Sequence, residues 1–224
     1  MRYLTFALYT EGRSDHRFLR PLIRRAADDL VRRFGRDPVE IPEEFIDLLP
    51  RNQMGRSRAE RIASAVQKDA SAIIVLFVHA DGGSDAQQAM SNGILPAFKL
   101  IGERLGRQAP AQVPVVPVRE TEAWAVADPE AIRASFGITI LPKVTGLPVE
   151  PAEVERVADP KRLLADLARS ITGRRRRTKL GSLPWLADLG ERVSLARLRD
   201  VPAYSEFETH LRRALAEVGC IESN

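Results

Sequence analysis

Two short apolar runs constrain this chain most. Tyr3-Leu4-Thr5-Phe6-Ala7-Leu8-Tyr9 and Ile73-Ile74-Val75-Leu76-Phe77-Val78 have strand length and strand residues, and each runs into an acid followed by glycine: Thr10-Glu11-Gly12 in the first case, His79-Ala80-Asp81-Gly82-Gly83 in the second. Between them the apolar period switches to that of a helix. Phe18, Leu19, Leu22, Ile23, Ala26, Leu30 and Val31 predict a first helix, with Ser14 as its expected cap and Gly35 as its stop. Ala59, Ile62, Ala63 and Val66 predict a second helix over residues 56–68. Strands that alternate with amphipathic helices predict a parallel sheet covered by helices. In such a sheet, ligands gather at the carboxyl ends of the strands, so the two distant acids are expected to meet in one crevice.

The remaining elements follow the same logic. Val39 to Leu49, bounded by Pro38 and Pro50, predicts a second strand made irregular by Pro42. Residues 86–106 predict a third helix, disturbed around Asn92-Gly93 and Pro96. Val113-Pro114-Val115-Val116-Pro117-Val118 predicts a fourth strand, whose prolines place it toward an edge. Glu120 to Ala127 reads as helical, and Asp128-Pro129 starts another turn or helix. The Gly- and Pro-rich text from 137 to 151 marks a boundary. The expected organisation is therefore a mostly parallel four-stranded α/β domain over 1–136, with a helical extension over 137–224 packed on it. Residues 160–170 and 204–218 carry that extension's amphipathic spacing.

Composition narrows the function classes. A single cysteine, Cys220, excludes an intramolecular disulfide and a thiolate metal cluster, a usage that suits the cytoplasm. No stretch has the apolar length of a membrane span, so neither export nor membrane insertion is expected. The formal charge of +4 permits a polyanionic partner. The run at 173–179 lacks the second glycine and the Lys-Ser/Thr ending of a phosphate-binding loop, and no Gly-x-Ser-x-Gly elbow occurs. Gly83 stands where an aspartyl-phosphate phosphatase would carry its second acid.

Glu11, Asp15, Asp81, Glu120 and Glu122 remain as acids at strand ends or in the turns after them. Hard divalent cations, Mg²⁺ or Mn²⁺, need this oxygen supply, and such ions clamp the oxygens of a phosphoryl transfer. Gly12, Gly82 and Gly83 would let backbone approach a phosphate closely. Arg13, Arg17, Arg20 and Arg24 form a basic stripe that starts beside Glu11, and Arg174-Arg175-Arg176-Arg177 form a second basic cluster. Each feature also has a plain structural reading. Asp81-Gly82 is turn chemistry, Asp15 complements a helix dipole, and Arg stripes are commonly solvated faces. Trp124 reads as core.

Glu11-Gly12-Arg13-Ser14-Asp15, His79-Ala80-Asp81-Gly82-Gly83 and Arg119-Glu120-Thr121-Glu122-Ala123-Trp124 together resemble a Toprim-like family of bacterial domains of unknown function, related to the Toprim domain of overcoming-lysogenization-defect nucleases. The resemblance covers about the first 130 residues. It implies a metal-dependent nuclease or phosphodiester-handling component of a phage-defence system, with nucleic acid as its partner and an ATPase encoded nearby. It makes Glu11 a metal ligand or general acid/base, Asp15 a second ligand and Asp81 the main ligand, with Glu120 or Glu122 completing the shell; Arg119 would add to charge neutralisation. One departure stands out. The Toprim motif has Asp-x-Asp after the third strand, where this chain has His79-Ala80-Asp81; an imidazole can bind Mn²⁺ or Zn²⁺ but lacks the charge that Mg²⁺ favours. Asp85 is the candidate substitute ligand. The rival expectations are a non-catalytic nucleic-acid or ATPase-partner binding protein with a degenerate site, and a small-molecule phosphohydrolase or nucleotidyl transferase.

Overall fold

The computed structural model describes residues 2–10, 12–48, 55–140, 147–148, 150–172 and 185–222. The first apolar run forms two pieces, β1 (Arg2–Tyr3) and β2 (Phe6–Tyr9), and α1 (Arg13–Phe34) follows. The irregular second strand is two dipeptides, β3 (Val39–Glu40) and β4 (Ile46–Asp47), which pair with β1 and β2 respectively. Pro42 lies in the break between them, where a missing amide hydrogen interrupts the ladder. Helix α2 (Arg58–Lys68) begins with a full capping box, in which Ser57 Oγ accepts from the Glu60 amide and Glu60 accepts from the Ser57 amide. β5 (Val75–His79) is the second apolar run.

The expected helix over 86–106 is divided. α3 (Ala86–Ala89) passes through a π-helical turn at Met90–Ile94 into α4 (Leu95–Leu105); the widened turn holds Asn92-Gly93, and Pro96 lies in the first turn of α4, where its missing amide hydrogen costs nothing. β6 (Ala111–Val115) then pairs with β5 alone, so the proline-bearing strand does lie at an edge. The sheet is fully parallel in the order β4-β2-β5-β6. Among the described residues the helical segments that follow are α5 (Glu122–Ala125), α6 (Pro129–Phe136), a 3₁₀ segment at Pro151–Arg156, α7 (Pro160–Thr172), α8 (Trp185–Arg192), α9 (Leu195–Leu198) and α10 (Pro202–Glu217). The sequence reading missed α8 and α9.

Side-chain alternation sorts the sheet into two faces. Ala7, Tyr9, Leu76 and Val78 pack with Ile62, Ala63, Val66, Ala97 and Ile101 of α2 and α4. Phe6, Leu8, Val75, Phe77, Val113 and Val115 pack on the other face, with Phe6 edge-on to Phe45 and Phe77 at 5.3 and 5.2 Å between ring centroids. That second core also takes in Phe18, Leu22, Trp124, Leu186, Tyr204, Phe207 and Leu211, so the boundary near 137 does not separate two cores. Trp124 is fully buried, 5.3 Å from Tyr204 and 5.8 Å from Phe207, as its core reading requires. Helix α8 sits on α1 because Gly190 admits the α1 backbone: a Cβ there would overlap Phe18 O and come within 2.7 Å of Pro21. Arg25 Nη1 bonds the Gly190 and Val193 carbonyls, both at 2.9 Å, and so caps the C-terminus of α8.

Candidate metal centre

The chain leaves β2 toward β4 through α1 on one face. It returns from β4 to β5, on the other side of β2, through α2 on the opposite face. This reversal opens a crevice at the carboxyl ends of β2 and β5, the position where open α/β sheets bind ligands.

Into this crevice α1 brings Asp15, and β5 brings His79 and Asp81. One donor atom from each lies within 4.8 Å of the others. Asp15 is in the first turn of α1 and is buried; its carboxylate turns back so closely that a Cβ on Gly12 would overlap it. Gly12 is the N-cap and Ser14 lies inside the first turn, so Ser14 does not play the role predicted for it. His79 is 2% exposed, with Nε2 3.0 Å from Thr121 Oγ1 and 3.3 Å from Asp81 Oδ1, while Nδ1 has no hydrogen-bond partner among the described residues. Burial pushes the Asp81 carboxyl up, but the hydrogen bond and proximity of the His79 imidazole, with Lys161 and the Thr121 amide, outweigh it and hold Asp81 below the usual carboxylate range. Arg58, at the start of α2, bonds the His79 carbonyl at 2.6 Å and so anchors the end of β5.

The loop after Asp81 is braced against the segment leading out of β6. The Gly82 amide donates to Pro117 O at 2.9 Å, and Gly83 and Arg119 exchange backbone bonds of 3.1 and 2.9 Å. The Gly82 and Gly83 backbone, expected to approach a phosphate closely, has both of its amides bonded within the fold. Gly82 is needed for close approach, since a Cβ would lie 2.7 Å from Pro117 O, and Gly83 and Arg119 both have positive φ, 54° and 67°. Asp85 accepts from the Gln88 amide at 2.9 Å as the cap of α3, which uses it away from the three converging donors.

Glu120 and Glu122 are brought together by a residue that the sequence did not single out. Lys161, near the start of α7, places Nζ 3.6 Å from Glu120 Oε2 and 3.5 Å from Glu122 Oε1, and its own amide donates to Glu120 Oε1 at 2.9 Å. Glu122 is 2% exposed, and neither of its oxygens has a side-chain hydrogen-bond partner among the described residues. Burial drives its carboxyl up to about 7, with Glu120 and Asp15 adding to the rise and Lys161 opposing it. Asp15 and Glu122 also line one narrow cavity with Ser14, Phe18, Thr121 and Leu186.

The basic stripe is only partly available. Arg13 is exposed, but Arg17 is half-buried and engaged, Arg20 pairs with Glu44 and Arg24 with Glu191. The cleft they line, about 320 Å³, also holds His16 and Glu43, and His16 Nε2 lies 2.5 Å from Asp47 Oδ1. Glu11 and Arg174, Arg175, Arg176 and Arg177 lie outside the described residues. No motif marks Lys161 or Arg58, and Thr121 lies within the Arg119–Trp124 motif without being singled out there; each acquires its role by packing.

The donor set fits a metal ion. Two carboxylates and an imidazole suit Mn²⁺ better than Mg²⁺, and ligand distances of about 2.1 Å place neighbouring donors about 3 Å apart, within a small side-chain adjustment of the present spacing. Fold and site together define an α/β protein with a parallel sheet and a candidate metal centre at its switch point. Comparison with protein-family models, with curated proteins and with solved structures finds no match. No described helix is long and apolar enough to cross a membrane.

Proposed function

We propose that this chain is a Toprim-like, metal-dependent phosphodiester-handling protein, a nuclease of a bacterial defence system working with a partner ATPase. The convergence of Asp15, His79 and Asp81 carries the reading, because it draws together donors from two distant motifs at the ligand-binding end of the sheet. Asp15, His79 and Asp81, with Glu11 beside them in sequence, would hold Mn²⁺ or Mg²⁺, which when bound polarises a phosphoryl oxygen and acidifies a water. The protein's own groups prepare the centre. Asp81 stays ionised because His79 and Lys161 favour its charge. Thr121 and Asp81 fix the imidazole on one edge, and Arg58 holds the strand end that carries it. Glu122, with its carboxyl near 7, is suited to hold or release a proton at neutral pH. Arg13 offers positive charge beside the same helix N-terminus.

The test is metal-stimulated cleavage of DNA and RNA by the native chain and by Asp81→Ala. Cleavage that needs Mn²⁺ or Mg²⁺ and falls at least tenfold in the variant is expected; an unchanged rate in Asp81→Ala sinks the proposal. A second reading, a non-catalytic nucleic-acid binder with a degenerate site, draws on the closed ion pairing of Lys161 with Glu120 and Glu122 and on the engagement of His79 Nε2 by Thr121. In that case nucleic-acid affinity persists in chelator, falls with salt, and is accompanied by no turnover.

A further inference from the structure

We propose that the Lys161 ammonium is the second cation of this centre: tethered on α7, it stands between Glu120 and Glu122 where a second divalent ion would otherwise bind, so that the protein takes one exchangeable metal ion. This rests on the metal-centre reading above and adds its stoichiometry.

The geometry is that of a bridging cation. Nζ is almost equidistant from one oxygen of each carboxylate, at 3.6 and 3.5 Å. Its position is built in, because the Lys161 amide is itself bonded to the other Glu120 oxygen, which fixes the first turn of α7 on the acid. The Glu122 carboxylate is 2% exposed, and among the described residues the Lys161 ammonium is the cation that faces it, at 3.5 Å. Nζ contacts Glu120 and Glu122, and the charges of Asp15 and Asp81 also favour the ammonium, against the burial that opposes it. A lysine and one divalent ion together balance three of those four negative charges. A second divalent ion would have to displace a tethered ammonium from a seat that the fold has already made.

Removing the ammonium leaves a buried carboxylate that must recruit another cation or a proton. On the alkaline side of neutrality, with Mn²⁺ as the probe, binding counted by calorimetry and electron paramagnetic resonance should give one ion in the native chain and in Lys161→Arg. Lys161→Met should bind two, and Lys161→Met/Glu122→Gln one again. Lys161→Met should also melt lower than the native chain in chelator and regain more of its melting temperature on adding Mn²⁺, a readout that survives a poorly folded apo-protein. Two ions in the native chain, or a single ion in Lys161→Met without extra recovery by Mn²⁺, overturns the proposal and leaves the metal centre standing. No Asp81-dependent Mn²⁺ binding in the native chain removes the metal centre itself, and this inference with it.

Discussion

Glu122 Oε1 stands 3.5 Å from Lys161 Nζ, yet the carboxyl it belongs to is raised to about 7. An ion pair alone would lower it. The rise means that desolvation outweighs attraction, since the carboxylate is almost fully enclosed while the lysine side chain is half exposed.

This makes Glu122 a source of pH-dependent stability. Its folded carboxyl titrates near 7 and its unfolded one near 4.5, so the folded state binds the extra proton. Stability from this group is therefore fully present below about pH 4.5 and lost as pH rises through about 7, by about 3 kcal/mol in all. Urea denaturation of the metal-free native chain and Glu122→Gln across that window should show the difference between them shifting in favour of the variant as pH rises. A difference that does not change with pH would contradict the raised carboxyl.

Gly190→Ala tests how α8 is held on α1. The added methyl would meet the Phe18 carbonyl and Pro21, both on a helix buried in the main core, so neither can yield cheaply. A loss of about 1–3 kcal/mol is expected in chemical denaturation, with one cooperative transition because the C-terminal helices share that core. An unchanged midpoint would place α8 elsewhere.

Gly12→Ala should act on the metal centre more than on the fold. Its φ of −108° suits any residue, so the penalty is the overlap with the Asp15 carboxylate. We expect Mn²⁺ affinity to fall at least tenfold while far-ultraviolet circular dichroism stays native. Undiminished affinity would mean that Asp15 is not a ligand.

Arg13→Ala should weaken nucleic-acid binding and lower the slope of log affinity against log salt by about one. Arg20→Ala should do less, because Arg20 already faces Glu44. Equal effects, measured by fluorescence anisotropy over a salt series, would argue against a polyanion track that starts at the mouth of the crevice.

Much of this arrangement is legible in local pattern. The continuous apolar runs that become 6–9 and 75–79 and the helical spacing over 13–34 and 58–68 are properties of neighbouring residues, and prolines mark both the broken second strand and the edge strand. Asp15 and Asp81 are recognisable because acids at strand ends are conspicuous. At Gly82 the need for glycine was legible in the sequence, whereas the close approach of the Pro117 carbonyl that requires it is a tertiary contact.

What the sequence determined by itself was therefore the alternation of strands and helices, and the acids that end up at one rim of the sheet, because both follow from periodicity along the chain. Tertiary structure alone decided that α1 and α2 leave on opposite faces and open the crevice, that Asp85 serves a helix end, and that Lys161 reaches back to Glu120 and Glu122. Those relationships depend on strand order and on the docking of a distant helix, and a carboxylate's charge is set by how much water the packed fold leaves around it.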